Sequence, residues 1–265
     1  MSLAVAAGVF ACAWAAFLAG PTLLGRRRWA VRHPAAALRL WAGLLVVGAT
    51  GAGLGLVLVL RSAAEVSREL GTDQQLTACE TCHAAAVYGA SWVMTAAVAT
   101  SVCMAGYGWA QGAGQRRRLR RATRGAADGL PSALVDGVRL SLLTSETYAA
   151  AGTPGLRPRV VVTTALRALL DDEELRSVVA HETAHLRHGH RLVVAIARAQ
   201  GRCLPGAWGA EAHRSLHLLV ELAADDRAAQ RCGPGVTAAA LTKVAAASDD
   251  DAMRLRARRT SLVAA

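Results

Sequence analysis

The sequence has few charged and few aromatic side chains. Of its 265 residues, 18% are charged and 4% are aromatic, whereas 53% are hydrophobic. Most of the hydrophobic excess lies in the first 110 residues. This composition argues against a wholly soluble protein and indicates a membrane part followed by a soluble part.

Lysine is nearly absent, since Lys243 is the only one, and arginine therefore carries the net charge of +11. A strongly basic chain is typical of a nucleic-acid-binding protein. Here, however, the arginines cluster beside apolar segments, at Arg26–Arg28 and Arg116–Arg121. Basic residues in such places set the orientation of membrane helices. We therefore expect a lipid bilayer as a partner and no nucleic acid.

Three segments lack charged residues over the length of a bilayer-spanning helix, which is roughly 20 residues. They are residues 2–25, 40–60 and 86–110. The first has no basic residues before it and is too long for a signal peptide. Because basic loops stay in the cytoplasm, the two arginine clusters predict an outer amino terminus and a cytoplasmic chain after Arg116. The pattern thus predicts a multi-pass protein of the plasma membrane.

The loop between the second and third segments contains Cys79, Cys82 and His83 in the order Cys-x-x-Cys-His. This order is found where haem is attached covalently. A haem or a redox switch on the outer side is one interpretation. A local disulfide, or two thiols that cap the third segment, is the other.

A basic linker at 111–134 precedes the predicted soluble domain at 135–265. Residues 135–143 and 158–164 are rich in β-branched and apolar side chains, and a segment with glycine and proline separates them. This pattern predicts two strands in a β-hairpin or small sheet. Its edge could receive an extended peptide as a further strand, although a purely structural hairpin would give the same pattern.

The most informative motif is His-Glu-x-x-His, formed by His181, Glu182 and His185 in a segment that reads as a helix. Residues four apart share one face of a helix, so the two histidines can bind one metal ion together. Neutral imidazole suits zinc, and three protein ligands leave a position for water. Glu182 can then accept a proton from that water and pass it to a leaving amine.

A third ligand is expected from a later helical segment, in which Glu221 and Asp225 are four residues apart. Glu221 would complete the zinc site, and one Zn²⁺ per chain is expected. Asp225 would accept a hydrogen bond from the free ring nitrogen of a ligating histidine and fix its tautomer. His217 stands on the same predicted face as Glu221 and is the alternative third ligand.

The surroundings of the motif yield further expectations. Its helix is expected to run from about Glu173 to beyond His190, with His188 and His190 as additional candidate ligands. His190 is five residues past His185, off the ligand face, and suits the helix end or a contact with a ligating side chain. The charged residues from 249 onward are expected to form a solvated tail.

Together these motifs, from Arg159 to Arg231, resemble the M48 and M56 families of membrane zinc metallopeptidases. The resemblance implies a mainly α-helical membrane protein with three transmembrane helices and an α+β gluzincin-type domain. It implies zinc binding by His181, His185 and Glu221, with Glu182 as the catalytic residue. Three spans before the domain are more similar to the M56 arrangement.

In many peptidases of these families, a histidine or tyrosine after the third ligand stabilises the oxyanion. No histidine or tyrosine follows Glu221 in this sequence. By elimination, the oxyanion or substrate contact falls to one of four residues: Arg227, Arg231, Tyr148 or His217.

The sequence therefore predicts a membrane-anchored zinc endopeptidase that hydrolyses protein or peptide substrates with a zinc-activated water on the cytoplasmic side. Association into a homo-oligomer is left open. The first alternative is a membrane signalling or adaptor protein with a structural zinc site, in which His217 would be a fourth protein ligand. The second is a redox protein that uses Cys79 and Cys82.

Overall fold

The structure is a computed structural model that describes residues 3–25, 28–70, 78–127, 132–135, 137–153, 158–204 and 206–262. Within these ranges, the side chains at 3–4, 6, 18–19, 21–25, 69–70, 78–80, 105, 108–109, 111–127 and 132 are not described. The described chain is mostly helical with one small mixed sheet. Its elements are α1 (Leu3–Gly25), α2 (Arg28–Arg32), α3 (Pro34–Leu70), α4 (Ala78–Ala127), β1 (Ser132–Val135), β2 (Val138–Leu143), β3 (Ala150–Thr153), β4 (Arg159–Thr163), α5 (Thr164–Leu169), α6 (Asp172–Arg187), α7 (His190–Arg202), α8 (Gly206–Cys232), α9 (Pro234–Ser248) and α10 (Asp251–Leu262).

The chain divides into two compact units. The first comprises Met1–Arg32, Ala36–Trp109 and Ile196–Leu216, and the second comprises His33–Ala35, Ala110–Ala195 and His217–Ala265. The first unit therefore consists of long apolar helices, whereas the second contains the sheet and the His-Glu-x-x-His motif.

Two helices of the first unit are long and apolar enough to cross a membrane. They contain the stretches Pro34–Arg68 and Thr81–Met104, and α1 contributes a shorter apolar stretch at Ala7–Phe17. Large apolar side chains such as Val46, Val57 and Val93 are exposed along these helices, as expected for surfaces that face lipid. These features suggest membrane association, and the third predicted span remains an expectation.

Helices α1 and α3 approach each other closely through glycines of α3. A Cβ atom at Gly48 would lie 2.9 Å from Cβ of Phe17, and one at Gly55 would lie 2.9 Å from Cβ of Phe10. Small residues at such interfaces let two helix backbones pack together where there is no hydrophobic drive between them. Close packing against α1 thus explains Gly48, Gly51 and Gly55 of α3.

Gln200 of α7 joins three helices of the first unit. Its Oε1 accepts a 2.9 Å hydrogen bond from Nε1 of Trp41, and its Nε2 donates to the carbonyl of Phe17. That carbonyl would normally accept from the residue four positions later, which is Pro21 and has no N–H. The Gln200 amide supplies the missing donor.

The Cys-x-x-Cys-His sequence lies at the start of α4. Cys82 is an exposed free thiol and His83 is also exposed, while the side chain of Cys79 lies outside the described residues. The haem and disulfide interpretations therefore stay as predictions.

The sheet has the strand order β1-β2-β4-β3. Strands β2 and β4 pair in parallel, with Leu140 opposite Val160, and β3 pairs antiparallel to β4 as an edge strand. The small sheet is confirmed, but the expected hairpin between 135–143 and 158–164 is wrong. Parallel neighbours need a connection that crosses over, and the intervening segment supplies it together with the additional strand β3.

The core of the second unit lies between one face of the sheet and two helices. Alternate residues of β2 and β4 face α6 and α9, as the period of two in a strand requires. The buried contributors are Val138, Leu140, Val160 and Val162 from the strands, Leu175 and Val179 from α6, and Ala240 and Val244 from α9. This packing fixes α6, the helix of the motif, on the sheet.

The expected solvated tail is instead the helix α10, which packs against α9. Ala257 and Thr260 of this helix are buried. The sequence predicted a solvated segment because seven of the eleven residues from Asp249 to Arg259 are charged. Two of them are paired with carboxylates of α8: Arg259 donates to Asp226 at 2.6 Å, and Arg256 reaches the site described below.

Candidate active site

Helix α6 begins at a well-defined cap. The Asp171 carboxylate accepts hydrogen bonds from the backbone N–H groups of Glu173 and Glu174, and the Glu174 carboxylate accepts one from the backbone N–H of Asp171. These bonds lower the pKa of Asp171, because they favour its charged form. Lys243 of α9 bonds to Glu174 at 2.6 Å. The start of the motif helix is therefore fixed both locally and to α9.

The other end of α6 differs from the expectation. The helix ends at Arg187 with His188 as its C-cap, and Gly189 has a φ of 62°. A left-handed residue suits glycine and terminates the helix, so His190 begins α7 instead of extending α6. The turn brings Nδ1 of buried His190 to 3.1 Å from Nδ1 of His185, which is the contact with a candidate ligand that was expected for His190.

His181, His185 and Glu221 come together with their donor atoms facing one point. The two Nε2 atoms are 3.0 Å apart, and each lies 3.5 Å from one oxygen of Glu221. All three ligand atoms lie within 4.8 Å of one another. Ligand atoms about 2.0–2.1 Å from a tetrahedral zinc ion are separated by roughly 3.3 Å. The nitrogen and oxygen donors and their spacing therefore fit zinc.

Asp225 lies beneath this triad on α8. Its side chain is only 1% exposed, and its Oδ1 accepts from Nδ1 of His181 at 2.9 Å. The bond leaves Nε2 of His181 as the free lone pair that a metal requires. Asp225 thus contacts a candidate metal ligand, and its role toward a bound metal ion stays a prediction.

Protonation of the cluster is strongly uneven. Burial opposes charge on His181, but hydrogen bonds to Asp225 and Glu221 outweigh it and raise its pKa to about 9. Burial and the charge of His181 lower the pKa of His185 to about 3. Like charges this close disfavour each other, and a metal ion bound by both rings would require both in the neutral form.

Arg256 of α10 completes the site and was not predicted from the sequence. Its Nε and Nη2 donate to the two oxygens of Asp225 at 2.8 and 2.7 Å, and its Nη1 lies 3.1 Å from Glu221. Although burial opposes ionisation of both acids, the hydrogen bonds of His181 and the charge of Arg256 lower the pKa of each to about 2. One arginine thus holds Glu221 and Asp225 in their charged, oriented form.

Glu182 is held beside the triad by the edge strand. Its Oε2 accepts a 2.8 Å hydrogen bond from the backbone N–H of Gly152. Burial raises its pKa, and the charge of His181 and the Gly152 bond act against that rise. A carboxylate with a raised pKa is suited to accept and return a proton.

A cavity of about 290 Å³ opens onto these residues. Its polar wall includes His181, Glu182, Glu221, Asp225 and Arg256. Much of the remaining wall is apolar and comes from several elements: Leu166, Val178, Ala240, Leu241, Val244 and Met253. A site of this kind offers charged groups at one end and room for an apolar group at the other.

Arg227 and His217, the predicted oxyanion or substrate contacts, do not line this cavity. Both are exposed, and Arg227 donates to Gln230 at 2.9 Å. Arg231 borders a different cavity with Glu173 and Arg176. Tyr148 does line the cavity. Tyr148 is therefore the only one of the four candidate oxyanion contacts, all of them described residues, that lines the cavity.

A family model described as peptidase family M48 matches residues 113–245, which is half of the chain. No curated protein and no solved structure gives a significant match. The M56-like arrangement is not confirmed by this match. The matched region contains the His-Glu-x-x-His helix and Glu221, and the chain accordingly belongs to peptidase family M48, whose members are zinc-dependent metallopeptidases.

Proposed function

We propose that this protein is a membrane-anchored zinc endopeptidase with its catalytic unit on the cytoplasmic side of the plasma membrane. The observation that carries the proposal is the convergence of three zinc-type donor atoms beside Glu182, at an open cavity. The two long apolar helices support membrane anchoring. The arginine clusters that flank them support the orientation.

The donor set also bears on the adaptor alternative. A structural zinc site needs a fourth protein ligand, and His217 was its candidate. Within the described residues, only His181, His185 and Glu221 form such a cluster. Three protein ligands leave a coordination position for water or substrate, which supports catalysis.

The protein's own residues then divide the work. His181, His185 and Glu221 would hold the zinc ion, which when bound polarises the scissile carbonyl and makes water more acidic. Glu182 takes a proton from the attacking water and delivers it to the amine that leaves. Asp225 and Arg256 keep the ligand side chains in place.

The edge strand β3 supplies a place for the substrate backbone. Thr163 N–H donates to the Ala149 carbonyl at 3.0 Å, so alternate residues from Ala149 onward pair with β4. The backbone groups of Ala150 and Gly152 therefore point to the free edge. Gly152 bonds there to Glu182 and Arg191. A substrate that pairs in an extended form with the backbone of Ala150 would pass beside the catalytic carboxylate.

The apolar part of the cavity supports a preference among substrates. Val178 lies one helical turn before Glu182, and Leu241 and Met253 come from α9 and α10. An apolar side chain next to the scissile bond would be buried against these residues, with a gain of about 1–3 kcal/mol relative to water. We infer a preference for large apolar residues at this position.

The decisive experiment compares wild-type protein with Glu182→Gln, both as full chains purified in detergent. The variant should bind zinc as wild type does, because Glu182 is not in the donor cluster. Its kcat on a mixture of unstructured peptides should fall by roughly 10²–10⁴-fold, the contribution typical of a general base.

Glu173→Gln is the matched control, since Glu173 is an exposed residue of the same helix. It should keep wild-type activity. Peptide cleavage by Glu182→Gln at the wild-type rate would refute the proposed function.

A further inference from the structure

In peptide-bond hydrolysis, a hydrogen-bond donor to the oxygen of the scissile carbonyl can add to the polarisation that a metal supplies. As water attacks the carbon, the carbonyl electron pair moves onto this oxygen, and a positioned hydrogen-bond donor stabilises the charge. No histidine or tyrosine follows Glu221 in the chain. Among the described residues, the candidates for this donor are the polar side chains of the cavity wall.

Most side-chain donors of the cavity wall are already engaged. Ser177 donates to Thr237 at 2.9 Å, and Thr237 donates to the carbonyl of Gly233 at 3.0 Å. Nδ1 of His181 is bound to Asp225. These groups cannot serve a substrate without the loss of a buried hydrogen bond.

Arg256 is engaged in the same way. Its Nε, Nη1 and Nη2 atoms are all directed to Asp225 or Glu221, and its side chain is 12% exposed. Moving the guanidinium toward a substrate would leave two buried carboxylates without their cation, which is strongly unfavourable. Arg256 therefore holds Asp225 and Glu221 in place and is not available to a substrate.

Tyr148 differs from these residues. It lines the same cavity, it is 40% exposed, and it stands two residues before the edge strand β3. Its hydroxyl can donate one hydrogen bond. Among the described residues, the Tyr148 hydroxyl forms no hydrogen bond with a protein acceptor.

The segment that carries Tyr148 is held on both sides. Before it, Thr147 N–H donates to Oγ of Ser145 at 3.2 Å, and Ser145 N–H donates to Oγ1 of Thr164 at 3.2 Å. After it, Ala149 N–H donates to Oγ1 of Thr163 at 3.1 Å. Since donors that stabilise a transition state must be positioned in advance, this anchoring suits Tyr148 to the task.

We propose that the hydroxyl of Tyr148 donates the hydrogen bond that stabilises the oxyanion. The proposal rests on the proposed peptidase function. Water oxygen bonds to the carbonyl carbon while Glu182 takes the water proton, and the oxyanion accepts from Tyr148. When the C–N bond breaks, the electron pair of the oxyanion re-forms the carbonyl, and the proton on Glu182 goes to the amine. Tyr148 keeps its own proton throughout.

The test is Tyr148→Phe in the full chain, which removes one hydroxyl and keeps the ring. Its kcat should fall by roughly 10²–10³-fold, the effect typical of a lost oxyanion donor, with little change in KM, zinc content or Tm. Tyr107→Phe is the matched control, because Tyr107 lies in the apolar helix α4, and it should keep wild-type kcat.

A second measurement separates catalysis from structure. A peptide phosphonamidate has a tetrahedral phosphoryl oxygen that imitates the oxyanion, and Tyr148→Phe should weaken its binding by about the factor lost in kcat/KM. Binding of the cleaved product peptides should be unchanged. A Tyr148→Phe enzyme with wild-type kcat, or one that loses phosphonamidate and product binding equally, overturns the assignment.

The two levels of the proposal fail in different ways. Wild-type protein no more active than Glu182→Gln would refute the peptidase function and the role of Tyr148 with it. Wild-type activity above that of Glu182→Gln, together with an unaffected Tyr148→Phe, would refute the role of Tyr148 alone.

Discussion

At the scale of single residues, the site depends on buried carboxylates whose negative charge is balanced by a buried arginine. Glu221 and Asp225 are two acids on adjacent turns of α8, and both are mostly buried. Buried carboxylates this close repel each other unless a cation is shared between them. Arg256 provides that cation, and His181 provides a hydrogen-bond donor to Asp225. The arrangement explains how an acidic ligand can stay ionised in a site with apolar walls.

This residue-scale arrangement predicts the effect of changes at Arg256. Arg256→Ala should destabilise the fold by about 3–5 kcal/mol, because it breaks a buried ion pair and leaves uncompensated charge. It should also weaken zinc binding, since Asp225 and Glu221 lose their orientation. Compared with Arg256→Ala, the Arg256→Lys variant should regain part of the lost stability and a smaller part of the lost zinc affinity. Lysine keeps the positive charge but cannot donate two parallel hydrogen bonds to Asp225.

Thermal unfolding and zinc titration of the two variants would measure these effects. Arg258→Ala is the matched control, since Arg258 is exposed on the same helix. Unchanged stability and zinc affinity in Arg256→Ala would contradict the role of the arginine.

At the scale of elements, the site depends on the close approach of β3 to α6. A Cβ atom at Gly152 would lie 2.8 Å from Cγ of Leu186, so only glycine allows this distance. The same residue donates its N–H to Glu182. The position of the edge strand and that of the catalytic carboxylate are therefore coupled.

We expect Gly152→Ala to lower kcat/KM strongly while the protein stays folded with a moderately lower Tm. The added methyl group would push β3 away from α6 at a cost of about 1–3 kcal/mol, and the Gly152–Glu182 hydrogen bond would lengthen. The measurements are kcat/KM and Tm.

The double variant Gly152→Ala with Leu186→Ala tests the cause of this effect. Because removal of the Leu186 side chain makes room for the methyl group, the double variant should regain part of the activity that Gly152→Ala loses, relative to Leu186→Ala alone. Independent, additive losses would show that the two residues do not clash.

At the scale of the whole molecule, zinc binding should be linked to folding of the catalytic unit. His181 and His185 come from α6 and Glu221 comes from α8, so an ion bound to all three joins two helices that are distant in sequence. A ligand that binds only the folded state stabilises it by about 4 kcal/mol when its concentration is 1,000 times its Kd.

Removal of the metal with a chelator should therefore lower the Tm of the catalytic unit and abolish peptidase activity, and one equivalent of Zn²⁺ should restore both. His188→Ala, at the C-cap of α6, should behave like wild type because His188 is not in the donor cluster. His185→Ala should show the low Tm with and without zinc. A Tm that does not respond to zinc in wild type would argue against binding at this triad.

Local sequence determined those features that depend on the spacing of residues within one element. His181 and His185 share a face because a helix has 3.6 residues per turn, and the same rule aligns Glu221 with Asp225. A cap at Asp171 or Asp172 could be expected from the acidic first turn that follows, and the structure has it at Asp171. The two long apolar helices could be expected because a bilayer sets the length of a spanning helix, whereas the third span stays a prediction.

Only the tertiary structure decided which separate segments meet. Sequence spacing gave no reason to join Arg256 to Asp225, because the pair is 31 residues apart and each partner alone resembles a solvated charge. The parallel pairing of β2 with β4, and the insertion of β3 at the edge, follow from how the chain crosses over, which local propensity does not encode. The sequence alone was thus sufficient to identify the His-Glu-x-x-His motif. Long-range packing decided the position of Arg256, the edge strand β3 and the cavity that Tyr148 lines.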